Sequence, residues 1–462
     1  MSTLQSKTQS KKSTDRSLLT VLFIGVLMGA LDIAIVGPAL PAIQTAFAID
    51  ERATAWIFTI YVLFNLIGAP LMSKLSDRYG RRSVYLADVT LFAIGSLAVA
   101  LAPSFLLLLA GRALQGFGAG GIFPVASAVI GDTFPEEKKG SALGLIGAVF
   151  GLAFIIGPIL GGVLLIWGWQ WLFFVNLPVA ALVIILGSRA LPTTRQHAPK
   201  AFDVLGMVVL ALALAGLTLG INRLDTTAIG ASLLSVQVWP LLLLALAGGA
   251  AFVWAERRAP DPIIRIEQFG NRQLVLANLL SMGAGLGEAA MVFLPALAIA
   301  AFSVSQSRAS FLLLPVVLAV AVGAPLGGRM LDRYGARPVV MTGTLLLAIG
   351  MFLLGFLGTN FSVFIVAGVL IGLGLASLLG APIRYIVLGE AEPSERAASQ
   401  GVVSISTGVG QLVSGALIGA VAASQGGGVD GYRIAYLFVG GAMLILVALS
   451  FGLKARHKEA SQ

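Results

Sequence analysis

The sequence predicts an all-α polytopic membrane protein with fourteen transmembrane helices, and three observations carry that expectation. Of 462 residues, 58% are hydrophobic and only 11% charged, whereas a soluble domain carries about a quarter charged residues. The apolar residues gather into runs near the ~20 residues needed to cross ~30 Å of hydrocarbon. Lys and Arg crowd into every second polar segment between those runs, which is the charge signature of a chain crossing a membrane repeatedly.

In chain order the runs occupy 18–40, 53–75, 83–101, 105–129, 140–166, 171–190, 202–221, 236–254, 273–301, 308–328, 338–357, 361–388, 397–422 and 434–453. An even number of crossings leaves both termini on one side. With the N-terminus inside, cytoplasmic segments hold 24 of the 30 Lys and Arg, among them Lys11, Lys12, Arg78, Arg81, Arg82, Lys138, Lys139, Arg257, Arg258, Arg333, Arg337 and Lys454. Outer segments hold Arg52, Arg223, Arg308 and Arg433, while Arg112 and Arg384 fall inside spans. That bias predicts both termini in the cytoplasm and the chain in the inner or plasma membrane. The first run is too long for the apolar core of a cleaved signal peptide, so residues 1–17 are expected to stay attached as a short disordered tail.

The chain also repeats itself. Leu75-Ser-Asp-Arg-Tyr-Gly-Arg-Arg after the second run is echoed by Leu331-Asp-Arg-Tyr-Gly-Ala-Arg after the tenth, with Asp77 and Asp332 255 residues apart. Gly157-Pro-Ile-Leu-Gly-Gly is echoed by Gly415-Ala-Leu-Ile-Gly-Ala, 258 residues on. Two echoes at nearly one offset imply duplication, a hallmark of transporter folds. The predicted plan is 6+2+6: a six-helix bundle over 18–190, a two-helix insert with its loops over 191–272, a second bundle over 273–453, and a cytoplasmic tail over 454–462.

Composition excludes several functions. The net charge of +9 is spread through short loops and forms no stripe, so no nucleic-acid partner is expected. With no cysteine there is no disulfide, iron–sulfur cluster or zinc–thiolate site. No nucleophile–histidine pairing is visible, because His197 and His457 fall in a loop and a tail, and no metal cluster or phosphate loop appears. The chain is therefore expected not to be an enzyme and to need no metal or cofactor. A channel is disfavoured because no selectivity filter repeats between the halves.

Four motifs carry a resemblance to the 14-span drug:proton antiporter family of the major facilitator superfamily, over nearly the whole chain. Leu31-Asp-Ile-Ala-Ile-Val-Gly-Pro-Ala-Leu-Pro resembles its first-helix signature, with Gly37 and Pro38 where Asn-Val is commoner. Ser73-Lys-Leu-Ser-Asp-Arg-Tyr-Gly-Arg-Arg resembles the loop between helices 2 and 3, with Ser73 in place of the leading glycine. Gly111-Arg112-Ala-Leu-Gln115-Gly116 resembles the fourth-helix arginine motif, and Gly157-Pro158-Ile-Leu-Gly161-Gly162 the fifth-helix antiporter motif. The resemblance implies a proton-coupled exporter working by alternating access, with protons as coupling ion. It also implies that Arg112 tunes proton release, and that Asp77, Arg78, Gly80, Arg81 and Arg82, echoed by Asp332 and Arg333, form a conformational latch.

Physical chemistry points to some of the same residues. An ionised carboxylate at the position of Asp32 costs roughly 2.5–3.5 kcal/mol on insertion scales, so it should face a cavity or a partner. Desolvation favours its neutral form and water or a cation its ionised form, which suits a proton carrier; a structural carboxylate inside the bundle is the alternative. Arg112 keeps its charge and needs a carboxylate, carbonyls or water, unless its head snorkels outward. Glu288, 256 residues after Asp32, falls near the equivalent position in the second half and is a candidate for protons or cationic substrates; a structural pairing with Arg384 is the alternative. Trp56, Phe58, Tyr61 and Asn65 in the second run, Met282, Met291 and Phe293 in the ninth, and Arg384 are candidate substrate contacts. The spacing of Gly140, Gly144, Gly147, Gly151, Gly157 and Gly161 predicts close helix packing of the fifth run.

The expected activity is export of amphipathic or cationic drugs by a monomer surrounded by membrane lipids. Lipid or glycolipid export is the alternative, since Arg384-Tyr-Ile-Val-Leu-Gly-Glu-Ala resembles the twelfth helix of lipid-moving relatives. A proton-coupled importer ranks below both.

Overall fold

A chain in hydrocarbon must satisfy its own backbone N–H and C=O groups, and helices do so within each segment. The computed structural model, which describes residues 2–193, 203–392 and 395–455, is accordingly helical, with no strand among the described residues. Fourteen helical segments are long and apolar enough to cross a membrane. They are α1 (Ser17–Phe47), α2 (Glu51–Tyr79), α3 (Arg81–Ala100), α4 (Phe105–Thr133), α5 (Ser141–Leu164), α6 (Trp171–Ala190) and α7 (Val204–Asn222). The remainder are α8 (Trp239–Glu256), α9 (Arg272–Phe302), α10 (Gln306–Tyr334), α11 (Ala336–Leu357), α12 (Phe361–Glu390), α13 (Ala398–Ser424) and α14 (Gly428–Ser450). Each coincides with one of the fourteen runs read from the sequence. His197 and His457 lie outside the described residues.

Local chemistry sets the ends. Ser104, Asp203, Asn271 and Asn360 cap the starts of α4, α7, α9 and α12 by accepting a backbone N–H with their side chains. The helix containing α1 begins already at Ser2, where a disordered tail was expected; 2–16 holds no Gly or Pro to stop a helix spreading back from the apolar run. Within α12 the helix breaks at Gly380, so that Ala381–Glu390 forms a separate short helix.

The duplication is visible in the backbone. Gly80 and Gly335, 255 positions apart, have φ of 96° and 85° and make the tight turns from α2 to α3 and from α10 to α11. That left-handed region is open to glycine. Ala48 and Ser303, again 255 apart, share a φ of 51° just after α1 and α9. Packing repeats too: a Cβ on Gly116 would lie 2.2 Å from the Tyr61 carbonyl oxygen, and one on Gly372 2.2 Å from that of Val316.

The chain divides into two compact units, Met1–Ala39 with Ile60–Phe202, and Leu40–Thr59 with Asp203–Gln462. The helices α7 and α8 therefore fall in the second unit together with the start of α2. Hydrogen bonds account for this: Trp56 Nε1 donates to Asn222 Oδ1 at 2.9 Å, and Arg52 Nη2 to the Leu224 carbonyl at 3.1 Å. Inside the first unit α3 packs along α4, and inside the second α9 along α13 and α11 along α12.

Of the α5 glycines, Gly157 is tight, since a Cβ there would meet Ala34 Cβ on α1 at 2.5 Å, whereas one on Gly144 or Gly151 would meet nothing within 4 Å. The tight contact is thus at the end nearest Pro158, and at Gly144 and Gly151 small residues at four-residue spacing permit close approach without requiring it. Accordingly, Gly116→Val should lower the melting temperature of the detergent-purified protein by an overpacking cost of about 1–3 kcal/mol. Gly144→Val should leave it unchanged, and differential scanning fluorimetry of both variants is the check.

Candidate functional site

A permanent cation inside a membrane helix needs an anion, and in the first unit the helices supply one. Arg112 on α4 and Asp32 on α1 both have side chains at 0% exposure, with Arg112 Nη1 2.6 Å from Asp32 Oδ2. The same Nη1 donates to Gln115 Oε1 at 2.7 Å, and Gln115 Nε2 donates to Asp32 Oδ1 at 2.6 Å. Asn176 Nδ2 on α6 reaches the same Oδ1 at 3.3 Å. Ser96 Oγ on α3 accepts from Gln115 Nε2 at 2.8 Å and from Asn176 Nδ2 at 3.3 Å. Four helices thus wrap one carboxylate in a charge-assisted network with donors on both oxygens.

Aromatic rings complete the setting. The guanidinium carbon of Arg112 lies 4.3 Å from the centroid of the Tyr61 ring and 5.7 Å from that of Phe173, where the ring faces attract a cation. Helix spacing explains the convergence: Arg112 and Gln115 are three residues apart on one face of α4. Glycines let that face come close, because a Cβ on Gly95 would meet the Gln115 backbone N at 2.5 Å. The charge of the guanidinium is permanent, so the carboxylate beside it is its counter-ion.

The residues expected to form a latch after α2 also lie in the first unit, where Arg81 contacts two carboxylates. Arg81 Nη1 lies 2.6 Å from Asp77 Oδ1 and 2.6 Å from Ser76 Oγ, while its Nε lies 2.9 Å from Asp132 Oδ2 at the end of α4. Arg82 instead donates to the Ser188 carbonyl. Arg78 and Arg333 sit over the rings of the tyrosines that follow them, Tyr79 and Tyr334. Asp332 belongs to the second unit, on α10.

Other sequence candidates have contacts of their own. Trp56 is held by Asn222 and lines a recess with Asp50, Arg52, Arg223 and Gln237. Asn65 is half-buried on α2. Met291 and Phe293 are buried within α9, and Met282 lies against Gly410, where a Cβ would meet its carbonyl oxygen at 1.9 Å. Glu288 faces the Gln411 side chain across the α9–α13 seam. Arg384 is exposed on its short helix, its carbonyl accepting from Gln400 Nε2, and no ion pair joins it to Glu288 among the described residues.

Sequence reasoning missed Asn176 as a partner of Asp32 and Ser96 as the acceptor for both amides, gave Gln115 no role, and overlooked Asp132. The three-residue spacing of Gln115 from Arg112 was the available signal for the first of the glutamine's bonds; nothing local marks Ser96.

The pair also has a measurable energetic consequence. Asp32→Ala strands a buried guanidinium and should destabilise the protein by about 3–5 kcal/mol, whereas Asp32→Asn keeps hydrogen-bonding atoms in place and should cost less. Thermal unfolding of the two variants in detergent tests that order.

The sequence matches the family model for the Major Facilitator Superfamily over residues 22–256 and 274–462. It is 30% identical to Multidrug transporter protein MdtP of Bacillus subtilis, across 91% of this chain and 77% of that protein. It is 31% identical to a Triacylglyceride transporter of Mycobacteroides abscessus, across 86% of this chain and 80% of that one. The fold matches that of a D-xylose-proton symporter at a TM-score of 0.68 and 16% identity, covering 96% of this chain and 99% of the other. With fourteen helices able to cross a membrane among the described residues and relatives named as transporters, the chain belongs to the Major Facilitator Superfamily, as a multi-pass membrane transporter and not an enzyme.

Proposed function

We propose that this transporter is a proton-coupled antiporter of the plasma membrane, with cytoplasmic termini, that exports amphipathic or cationic small molecules by alternating access. The observation that supports it best is the Asp32 cluster, a fully buried carboxylate bonded to a fixed cation and two amides. Protons and substrate act on the same carboxylate. In the loaded state for export, a cationic substrate draws on the charge of Asp32; exposure to the outer side exchanges substrate for a proton, and return to the inside releases that proton. Arg112 assists release, because an unneutralised guanidinium beside a neutral carboxyl favours loss of its proton.

The Arg81 hub is assigned the latch role. It ties Asp77 at the end of α2 to Asp132 at the end of α4, so breaking it biases the conformational equilibrium without touching substrate. The MdtP name supports a multidrug cargo. Export of a neutral lipid is the second reading, favoured by the Triacylglyceride transporter relative and by the Arg384 segment.

Proteoliposomes with an internal pH dye separate these readings. Cationic drugs added under an imposed proton gradient should drive proton flux in the wild type and none in Asp32→Asn. Absence of drug-driven flux in liposomes that still move a fluorescent lipid would replace the drug reading with the lipid one.

A further inference from the structure

A second buried carboxylate stands in the first unit, and neither the Asp32 cluster nor the Arg81 hub uses it. Asp88 on α3 is fully buried, and both of its oxygens lack a hydrogen-bond partner among the described residues. Its side chain is pressed into the seam with α4, where a Cβ on Gly121 would lie 2.1 Å from Asp88 Oδ2. Gly118, one turn earlier on α4, is closed by the Asp88 carbonyl oxygen at 2.6 Å. Tyr85, on the same face of α3 three residues before, is also fully buried; its hydroxyl has no partner and points at Gly25 of α1, where a Cβ would meet it at 2.1 Å.

The charged groups on the helices packed around α3 are already engaged or lie in the open. On α4, Arg112 is bonded to Asp32 and Asp132 to Arg81. On α6, Arg189 is exposed. On α1, Asp32 is wrapped by Arg112, Gln115 and Asn176. Among the described residues no cation therefore offsets a charge on Asp88, and an isolated ionised carboxylate in a dry seam neutralises instead of bearing the solvation cost.

Packing does not ask for an acid there. The position 255 residues later, in the matching α11–α12 seam, is Gly343, and Gly374 takes the place of Gly118, so a glycine serves the same contact in the second unit. Placement along α3 suggests a use. Asp88 is seven residues, about 10 Å, from Arg81 at one end of α3, and eight residues, about 12 Å, from Ser96 in the Asp32 cluster. Fully buried Phe92 lies between Asp88 and Ser96, so a proton passes between them only when the helices part or water enters.

We propose that Asp88 is a second proton-carrying carboxylate of this transporter, loaded in the present conformation and standing between the Asp32 cluster and the Arg81 end of α3. The role in transport rests on the proton-coupled reading above; the protonation itself does not. The carboxyl binds one proton and gives it up unchanged, with Tyr85 as the neighbouring hydroxyl that hydrogen-bonds the carboxylate once the seam opens.

Infrared spectroscopy of the purified protein in lipid at neutral pH reads the protonation directly, through the carbonyl stretch of a neutral carboxylic acid. Such a band should be present in the wild type, retained in Asp32→Asn and reduced by the loss of one component in Asp88→Asn. Should Asp88→Asn fail to fold, Asp88→Ala, which only removes atoms from the crowded seam, gives the same readout. A band unaltered in both Asp88 variants overturns the proposal. The pH profile of transport then decides the carrier role: a changed profile in Asp88→Asn with unchanged substrate affinity supports it, and a wild-type profile overturns it. If the wild type itself shows no substrate-driven proton flux, the antiport reading and with it the carrier role of Asp88 fall, while the infrared result still decides whether the residue is protonated.

Discussion

Arg112 cannot shed its charge, and the first unit is organised around that constraint. A guanidinium with no solvent exposure demands an anion, and the anion in turn demands donors for its second oxygen. Asp32, Gln115 and Asn176 meet those demands, and Ser96 accepts from both amides, so α1, α3, α4 and α6 are all tied to the network around one carboxylate. Glycines at 95, 111 and 116 make the approach possible, because a side chain at any of them would collide with a neighbouring helix. Change the charge on Asp32, and the interaction that justifies burying Arg112 is lost. That link between protonation and helix arrangement is the physical core of the proposed coupling.

Duplication gave the two units the same frame but not the same chemistry. Adding 255 or 256 to the positions of Tyr61, Arg112 and Gln115 gives Val316, Gly368 and Ile371, so the second unit keeps the helix contacts and lacks the cation with its amide. Glu288 matches Asp32 in position but faces Gln411 in place of an arginine. The frame is thus shared, while the buried cation and its amide partner belong to the first unit.

Much of this was legible in the sequence for a simple reason: charge is rare within apolar runs. Asp32 and Arg112 stand out against runs made mostly of hydrophobic residues, and the helix count follows from the same contrast. The repeat offset placed Gly80 and Gly335 at equivalent turns, since only the glycine permits that backbone. Neutral polar residues such as Ser96 and Asn176 are common in membrane helices and declare no partner until the helices are packed. Trp56 illustrates a second limit: an aromatic in a span reads equally well as a substrate contact or a helix tie, and its bond to Asn222, 166 residues away, is visible only once the helices are packed. Asp88 obeys the same rule as Asp32 and was passed over because no motif draws attention to it.

The central claim is that proton and substrate compete for Asp32. The most direct measurement is equilibrium binding of a cationic drug to the purified transporter as a function of pH, in the wild type and in Asp32→Asn. Competition predicts that wild-type affinity rises with pH as Asp32 loses its proton, and that the variant binds weakly with little pH dependence. An Asp32→Asn protein that retains the wild-type affinity and its pH dependence would contradict the account.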